Sequence, residues 1–118
     1  MRRGELYFAD FDPVRGSEAN KRRPVVVVSH DALNTVVGKL GHGVITVVPL
    51  TSNIKRVLSF QVFLPGEVTG LPRDSKAQVE QVRALAFERF QPGVVGVLPV
   101  AYLERLEQAL KLHLALDG

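Results

Sequence analysis

Pro24-Val25-Val26-Val27-Val28 is the stretch that decides the fold. Valine is stiff at χ1, which lowers its helix propensity and suits it to a pleated surface. A nearly unbroken β-branched run of this length therefore predicts a strand buried on both faces rather than a helix. Pro24 can begin such a strand, but its missing N–H argues against a place inside one. Upstream, Leu6 to Phe11 alternates aromatic or apolar residues with smaller or polar ones, as a half-buried strand does, and Asp12-Pro13 ends it. The polar stretch Val14 to Arg23 joins the two strands as a loop. Downstream, Asp31 can cap a short helical turn through Asn34, and Gly38, Gly41 and Gly43 mark a loop. Further strands are expected over Val44 to Leu50, Ser59 to Leu64, Ala77 to Leu85 and Val94 to Leu98.

At Pro99 the period changes. Val100, Leu103, Leu106, Leu110 and Leu114 recur at spacings of three and four, the stripe of an amphipathic helix. Pro99 suits its first position, Leu98 is a poor cap, and Gly118 lies past its end. Several short strands and one closing helix predict a mainly β protein, a small, strongly bent antiparallel barrel with a C-terminal helix against it. The nineteen valines support a β-dominated core. Length and composition agree: 118 residues, 46% hydrophobic and 23% charged, describe a single folded domain over 1–118. No apolar run is long enough to cross a bilayer, so no membrane partner is expected. The opening residues carry Asp10 and Asp12 where an export signal needs an apolar stretch. The absence of cysteine removes disulfides and thiolate metal sites and fits a reducing cytoplasm.

Fifteen Lys and Arg stand against twelve Asp and Glu, a net charge of +3. Residues 1–83 hold twelve of the basic and eight of the acidic side chains, so the positive excess belongs there. Its densest point, Lys21-Arg22-Arg23, is either a solvated loop or a phosphate-binding edge. His30, His42 and His113 show no metal-ligand spacing, and no paired acids suggest magnesium, so no metal and no cofactor are expected. The glycines near His42 precede no helix in the way a phosphate loop requires, and no G-x-S-x-G elbow is present. What remains is polar residues at strand ends: Arg23 before one strand, Thr51 and Ser52 after another. A guanidinium fork and adjacent hydroxyls can hold one phosphate. Equally, Arg23 can end a loop and Thr51-Ser52 make a turn. Glu80 and Arg83, three apart on an expected strand, should leave on opposite faces.

Four segments in order carry a resemblance: RRGELYFADFDPVRGSEANKRRPVVVVS from Arg2, VVPLTSNI from Val47, GLPRDSKA from Gly70 and VEQVRALAF from Val79. Together they resemble the MazF/PemK/Kid family of toxin endoribonucleases over essentially the whole chain. The resemblance implies an SH3-like barrel of the CcdB/Kid/MazF kind, acting as a homodimer that cuts single-stranded RNA at short sequences without metal. It also implies a cognate antitoxin whose acidic, flexible tail blocks the RNA groove. Carried over, Arg23 is the arginine before Pro-Val, Thr51 the catalytic hydroxyl with Ser52 beside it, Glu18 the loop acid after Ser17, and Glu80 the acid of the acid-Gln-x-Arg strand that includes Gln81 and Arg83. Ala19, Lys21, Arg22 and Gln78 depart from many relatives near the RNA path, so the recognition sequence does not transfer.

RNA carries its own nucleophile, the ribose 2′-hydroxyl. On this reading Arg23 stabilises charge at phosphorus, Thr51 holds an oxygen or relays a proton, and Glu18 or Glu80 is the base. Lys21, Arg22, Lys55 and Arg56 then follow the backbone, adding affinity without sequence information. Two rivals share the barrel without needing Arg23 and Thr51 as a catalytic pair: a CcdB-like gyrase poison that binds protein, and a non-catalytic nucleic-acid-binding barrel.

Overall fold

The computed structural model describes residues 1–11 and 22–116, and the valine run lies in the middle of a curled antiparallel sheet. Strand β2 (Arg22–Val27) pairs with β1 (Glu5–Asp10) on one edge and with β3 (Val44–Thr51) on the other. Two hydrophobic clusters cover its two faces. Val26 packs with Leu6, Val48, Leu50 and Leu106, whereas Val25 and Val27 pack with Ala9, Ile45, Val47 and Leu85. All three valines are fully buried, as an unbroken apolar strand requires.

The far edge of β3 is shared. Its first half pairs with β6 (Arg83–Ala86) and its last two residues with β5 (Ser75–Ala77), which in turn pairs with β4 (Val62–Leu64). Strand β7 (Gly96–Val97) closes against the outer edge of β1. The result is a half-barrel. Helix α3 (Val100–Leu114) lies against it through Leu106 and Ala109, while α1 (Asp31–Leu40) and the single turn α2 (Gly66–Thr69) fill connections. No helix among the described residues is long and apolar enough to cross a membrane.

Several expectations are corrected. Pro24 sits inside β2, opposite Phe8, because the pairing with β3 begins only at Val25 and no ladder bond is lost there. Pro49 lies inside β3, opposite Val25, within the strand expected over Val44 to Leu50. Ser59 and Phe60 precede β4 rather than belong to it: Gln61 bends the chain by accepting the Leu58 N–H on its side-chain oxygen at 3.0 Å. The single strand expected over Ala77 to Leu85 is two strands separated by a 3₁₀ turn, Val79–Gln81. Glu80 is on that turn, so the expected strand alternation between Glu80 and Arg83 does not apply. The strand expected over Val94 to Leu98 shrinks to β7. Helix α1 runs through Gly38 to Leu40, and its cap is His30, whose Nδ1 accepts the Ala32 N–H at 3.0 Å, not Asp31. Pro99 is the cap residue of α3 rather than its first turn, and Gly118 lies outside the described residues. The apolar stripe of α3 packs only at its centre: Leu106 is buried, but Val100 is 72% and Leu114 50% exposed.

Gly96 fixes how closely α2 approaches β7. A Cβ there would stand 2.1 Å from the Thr69 carbonyl oxygen, a backbone atom that cannot step aside. Gly96→Ala should destabilise the fold by about 2–3 kcal/mol, the upper range of overpacking. For a domain of this size that lowers the melting temperature by roughly 10 °C in a thermal unfolding scan.

Candidate functional site

The two faces of the sheet run out of apolar residues at different chemistry. Along β2 the face of Val27 and Val25 ends at Arg23, and along β3 the face of Ile45 and Val47 ends at Thr51. The β2–β3 ladder stops at Val25 opposite Pro49, two residues short of Arg23 and of Thr51, so both lie just beyond it on the same face. Both are half-buried, able to meet solvent while their backbones stay anchored. Arg23 Nη1 donates to Gln78 Oε1 at 3.4 Å, a long bond that among the described residues leaves most of the guanidinium donors to a ligand. Thr51 Oγ1 accepts the Asn53 N–H at 3.2 Å, which orients the oxygen while leaving its own proton to donate. Asn53 Oδ1 accepts from Lys55 N at 3.4 Å, so two successive side-chain turns shape the exposed stretch that carries Lys55 and Arg56.

The structure adds two residues that sequence reading passed over. Lys76 pairs with Thr51 across β3 and β5, and its Nζ donates to the Arg56 carbonyl oxygen. Its only sequence signal is a basic residue between the small Ser75 and Ala77 of a short strand. Phe11 receives the Arg83 guanidinium over its ring, 5.1 Å from the centroid.

Other expected site residues are drawn elsewhere. Arg22 forms an ion pair with Asp10, Nε to Oδ1 at 3.2 Å, and Asp10 Oδ2 also accepts from Gln91. Ser52 parts from Thr51 and lines a cleft with Phe8 and Pro24, so the two hydroxyls do not converge on one phosphate. Glu80 accepts from Gln61 Nε2 at 2.9 Å through Oε2, while its Oε1 is buried with no partner among the described residues. Gln81 is exposed on the 3₁₀ turn. Ser17, Glu18 and Lys21 lie outside the described residues.

Among the described residues two groups depart from their ordinary titration. Burial, helped by a hydrogen bond to Glu5, pushes the Tyr7 phenol up to about 12, so it stays protonated. The backbone N–H of Arg3, 2.6 Å away, holds the Asp31 carboxyl below the usual range. Neither belongs to the strand-end group. Among the described residues no three His, Asp or Glu side chains converge as metal ligands. The arrangement at Arg23 and Thr51 offers fixed positive charge and one hydroxyl, a combination suited to a phosphodiester.

A family model described as PemK-like, MazF-like toxin of type II toxin–antitoxin system matches residues 2–114. Endoribonuclease MazF9 of Mycobacterium tuberculosis is 56% identical over 117 residues, covering 98% of each chain. Endoribonuclease EndoA of Bacillus subtilis is 31% identical over 117 residues, 98% of this chain and 96% of that one. A crystal structure of MazE–MazF from Deinococcus radiodurans superposes with a TM-score of 0.80 at 26% identity, over 99% of this chain and 97% of that chain. An endoribonuclease in complex with its cognate antitoxin, from a mycobacterial species, shares the fold at a TM-score of 0.77 and 19% identity, over 100% and 98% of the two chains.

Proposed function

The chain belongs to the PemK-like, MazF-like toxins of type II toxin–antitoxin systems, and on that premise we propose a metal-independent, sequence-specific endoribonuclease that cuts single-stranded mRNA. An RNA-cleaving toxin held in check by an antitoxin is the activity its relatives carry in their names and assemblies. What supports the mechanism is that β2 and β3, paired from Val25 opposite Pro49, end on the same face in Arg23 and Thr51.

The scissile phosphate lies between these two side chains. The ribose 2′-oxygen forms a bond to phosphorus as the bond to the 5′-oxygen breaks, giving a 2′,3′-cyclic phosphate, and the departing 5′-oxygen takes a proton from solvent water to become a free 5′-hydroxyl. Arg23 offsets the charge that grows on the non-bridging oxygens. Arginine keeps its proton at any ordinary pH, so it serves as a charge and not as the acid. Thr51 donates to a phosphate oxygen, and Lys76 raises the local positive potential beside it. The 2′-hydroxyl proton passes to a carboxylate, Glu18 or Glu80. With Glu80 bound to Gln61 through one oxygen and sealed at the other, Glu80→Gln should leave most of the rate if Glu18 is the base. Ser17, Lys21, Arg22, Ser52, Lys55, Arg56, Gln78, Gln81 and Arg83 contact the RNA around this centre, the cations mainly through the backbone.

Incubating the purified protein with long single-stranded RNA in excess chelator tests the function. Discrete fragments support it. Intact RNA, with gyrase inhibited instead, overturns it.

The partners we propose are a homodimeric second copy and a cognate antitoxin whose acidic flexible tail competes with RNA for the cations near Arg23. A cysteine-free chain acting on mRNA fits the cytoplasm. For the dimer, support comes from apolar surface a lone chain leaves wet: Leu33, Val36 and Leu40 on one side of α1, and Leu112, Leu114 and Leu116 at the end of α3. Light scattering at micromolar concentration should give twice the chain mass of 13.0 kDa; a purely monomeric species would contradict the dimer.

A further inference from the structure

Back to back with the strand-end pair is a cleft of about 220 Å³, of whose lining the chemistry above uses Ser52 alone. Its position follows from strand alternation. Pro24 and Ser52 are the chain neighbours of Arg23 and Thr51, and consecutive residues of a strand leave on opposite faces. Phe8 stands directly across from Pro24 on β1. Ser75 opens β5, and continuing the register of Thr51 opposite Lys76 by one residue sets it across from Ser52. One wall of the cleft thus crosses four adjacent strands at the rim of the sheet. The connection Leu71-Pro72-Arg73 forms the other wall.

That connection is held in place. Thr69, fully buried, accepts the Leu71 N–H at 3.1 Å and donates to the Gly66 carbonyl at 3.3 Å. Asp74 Oδ1 accepts the Gly66 N–H at 2.9 Å. Arg73 therefore stands on a fixed backbone, and its exposed guanidinium has no hydrogen-bond or ion-pair partner among the described residues.

The lining divides by chemistry. Phe8, Pro24, Leu71 and Pro72 supply flat or apolar walls, while Ser52, Ser75 and Arg73 supply hydroxyls and a planar fork. Unpaired RNA bases are recognised in this way, stacked on aromatic or apolar surfaces and hydrogen-bonded along one edge. At about 220 Å³ the cleft is smaller than the ~300 Å³ lower bound of typical ligand pockets, which suits one ring system better than a folded peptide segment.

We propose that this cleft is a specificity pocket for one unpaired nucleobase of the RNA strand, carried by a nucleotide flanking the cleaved linkage, with Arg73 reading its edge. The proposal rests on the ribonuclease reading above. The two donors of the Arg73 fork match a base with two neighbouring acceptors, as guanine has at O6 and N7. Ser52 and Ser75 then fix its orientation, each able to donate or accept. Because the pocket faces away from Arg23 and Thr51, it takes the base of a neighbouring nucleotide as the strand turns over the rim.

The test uses the full-length protein on an RNA pool with randomised positions around the cleavage site, with fragment ends sequenced. Wild-type protein should show a strong base preference at one position displaced from the cut. Arg73→Ala should flatten that preference about 10-fold or more at that position, while the preferences at the other positions persist. Arg73→Lys, which keeps the charge and loses the fork, should flatten it nearly as much. Three outcomes overturn the pocket: a preference unchanged in both variants, a uniform loss of cutting across all sequences that Arg73→Lys restores, or intact RNA preference with weakened antitoxin binding. The second would make Arg73 a backbone contact, the third a protein contact. If wild-type protein cuts no RNA at all, the ribonuclease reading fails first, and the proposal falls with it.

Discussion

An RNA oligonucleotide with hydrogen in place of the one 2′-hydroxyl at the cleaved linkage should bind normally and remain intact. The attacking oxygen on this account belongs to the substrate, so its removal leaves Arg23 and Thr51 holding a phosphate with no nucleophile. The hydroxyl is adjacent to the phosphorus it attacks. Well-oriented intramolecular groups of this kind reach effective concentrations of about 10⁵–10⁸ M, which water in the same site cannot match. Cleavage should fall below detection, while direct binding changes by no more than the loss of one hydrogen bond, about 1 kcal/mol. Gel analysis of cleavage and anisotropy on the same oligonucleotide read the two quantities. Cutting of the 2′-deoxy linkage would mean that the enzyme activates water.

Arg23→Ala should lower the single-turnover rate by about 10²–10³, the scale of removing one group that stabilises developing negative charge. The fold should survive, because Arg23 is half-buried at the beginning of β2 and among the described residues gives up one long side-chain hydrogen bond, to Gln78. Arg23→Lys keeps a charge but loses the fork and should recover only part of the rate. Thr51→Ala should be comparably harmful, with Thr51→Ser restoring most activity. If both side chains act on one phosphate, the double variant should lose less than the product of the single losses. His113, exposed on α3, is the control whose change should do little. Unaltered cleavage by a folded Arg23→Ala protein would remove the arginine from the mechanism.

The parts legible in sequence are those where one residue type or one period dominates. The valine run could only be a two-sided strand, and the three-and-four spacing after Pro99 could only be a helix. The break between β5 and β6 was not legible, because alternation continues across it; the cause is tertiary, since β3 offers one half of its edge to each strand. Helix α1 was underestimated for a different reason. Its cap is an imidazole, its interior holds a glycine, and its buried face carries Asn34, which bonds Ser29 through both oxygen and nitrogen. None of these is a helix signal. At the site, Arg23 and Thr51 stand out as polar residues ending apolar strands, but that the two strands are neighbours with these ends on one face required the β2–β3 register. Lys76 reaches Thr51 only through a three-residue strand, too short to announce itself. Ser52 looked like a second hydroxyl for the same phosphate until strand geometry turned it toward the other face.

The chemistry of the product ends tests the central claim most directly. Fragments from a defined single-stranded RNA, cut in excess chelator, should carry a 5′-hydroxyl on one side and a 2′,3′-cyclic phosphate on the other, as labelling by polynucleotide kinase and mass spectrometry will read. Fragments bearing a 5′-phosphate and a 3′-hydroxyl would contradict attack by the ribose, and with it the roles of Arg23 and Thr51 in that attack.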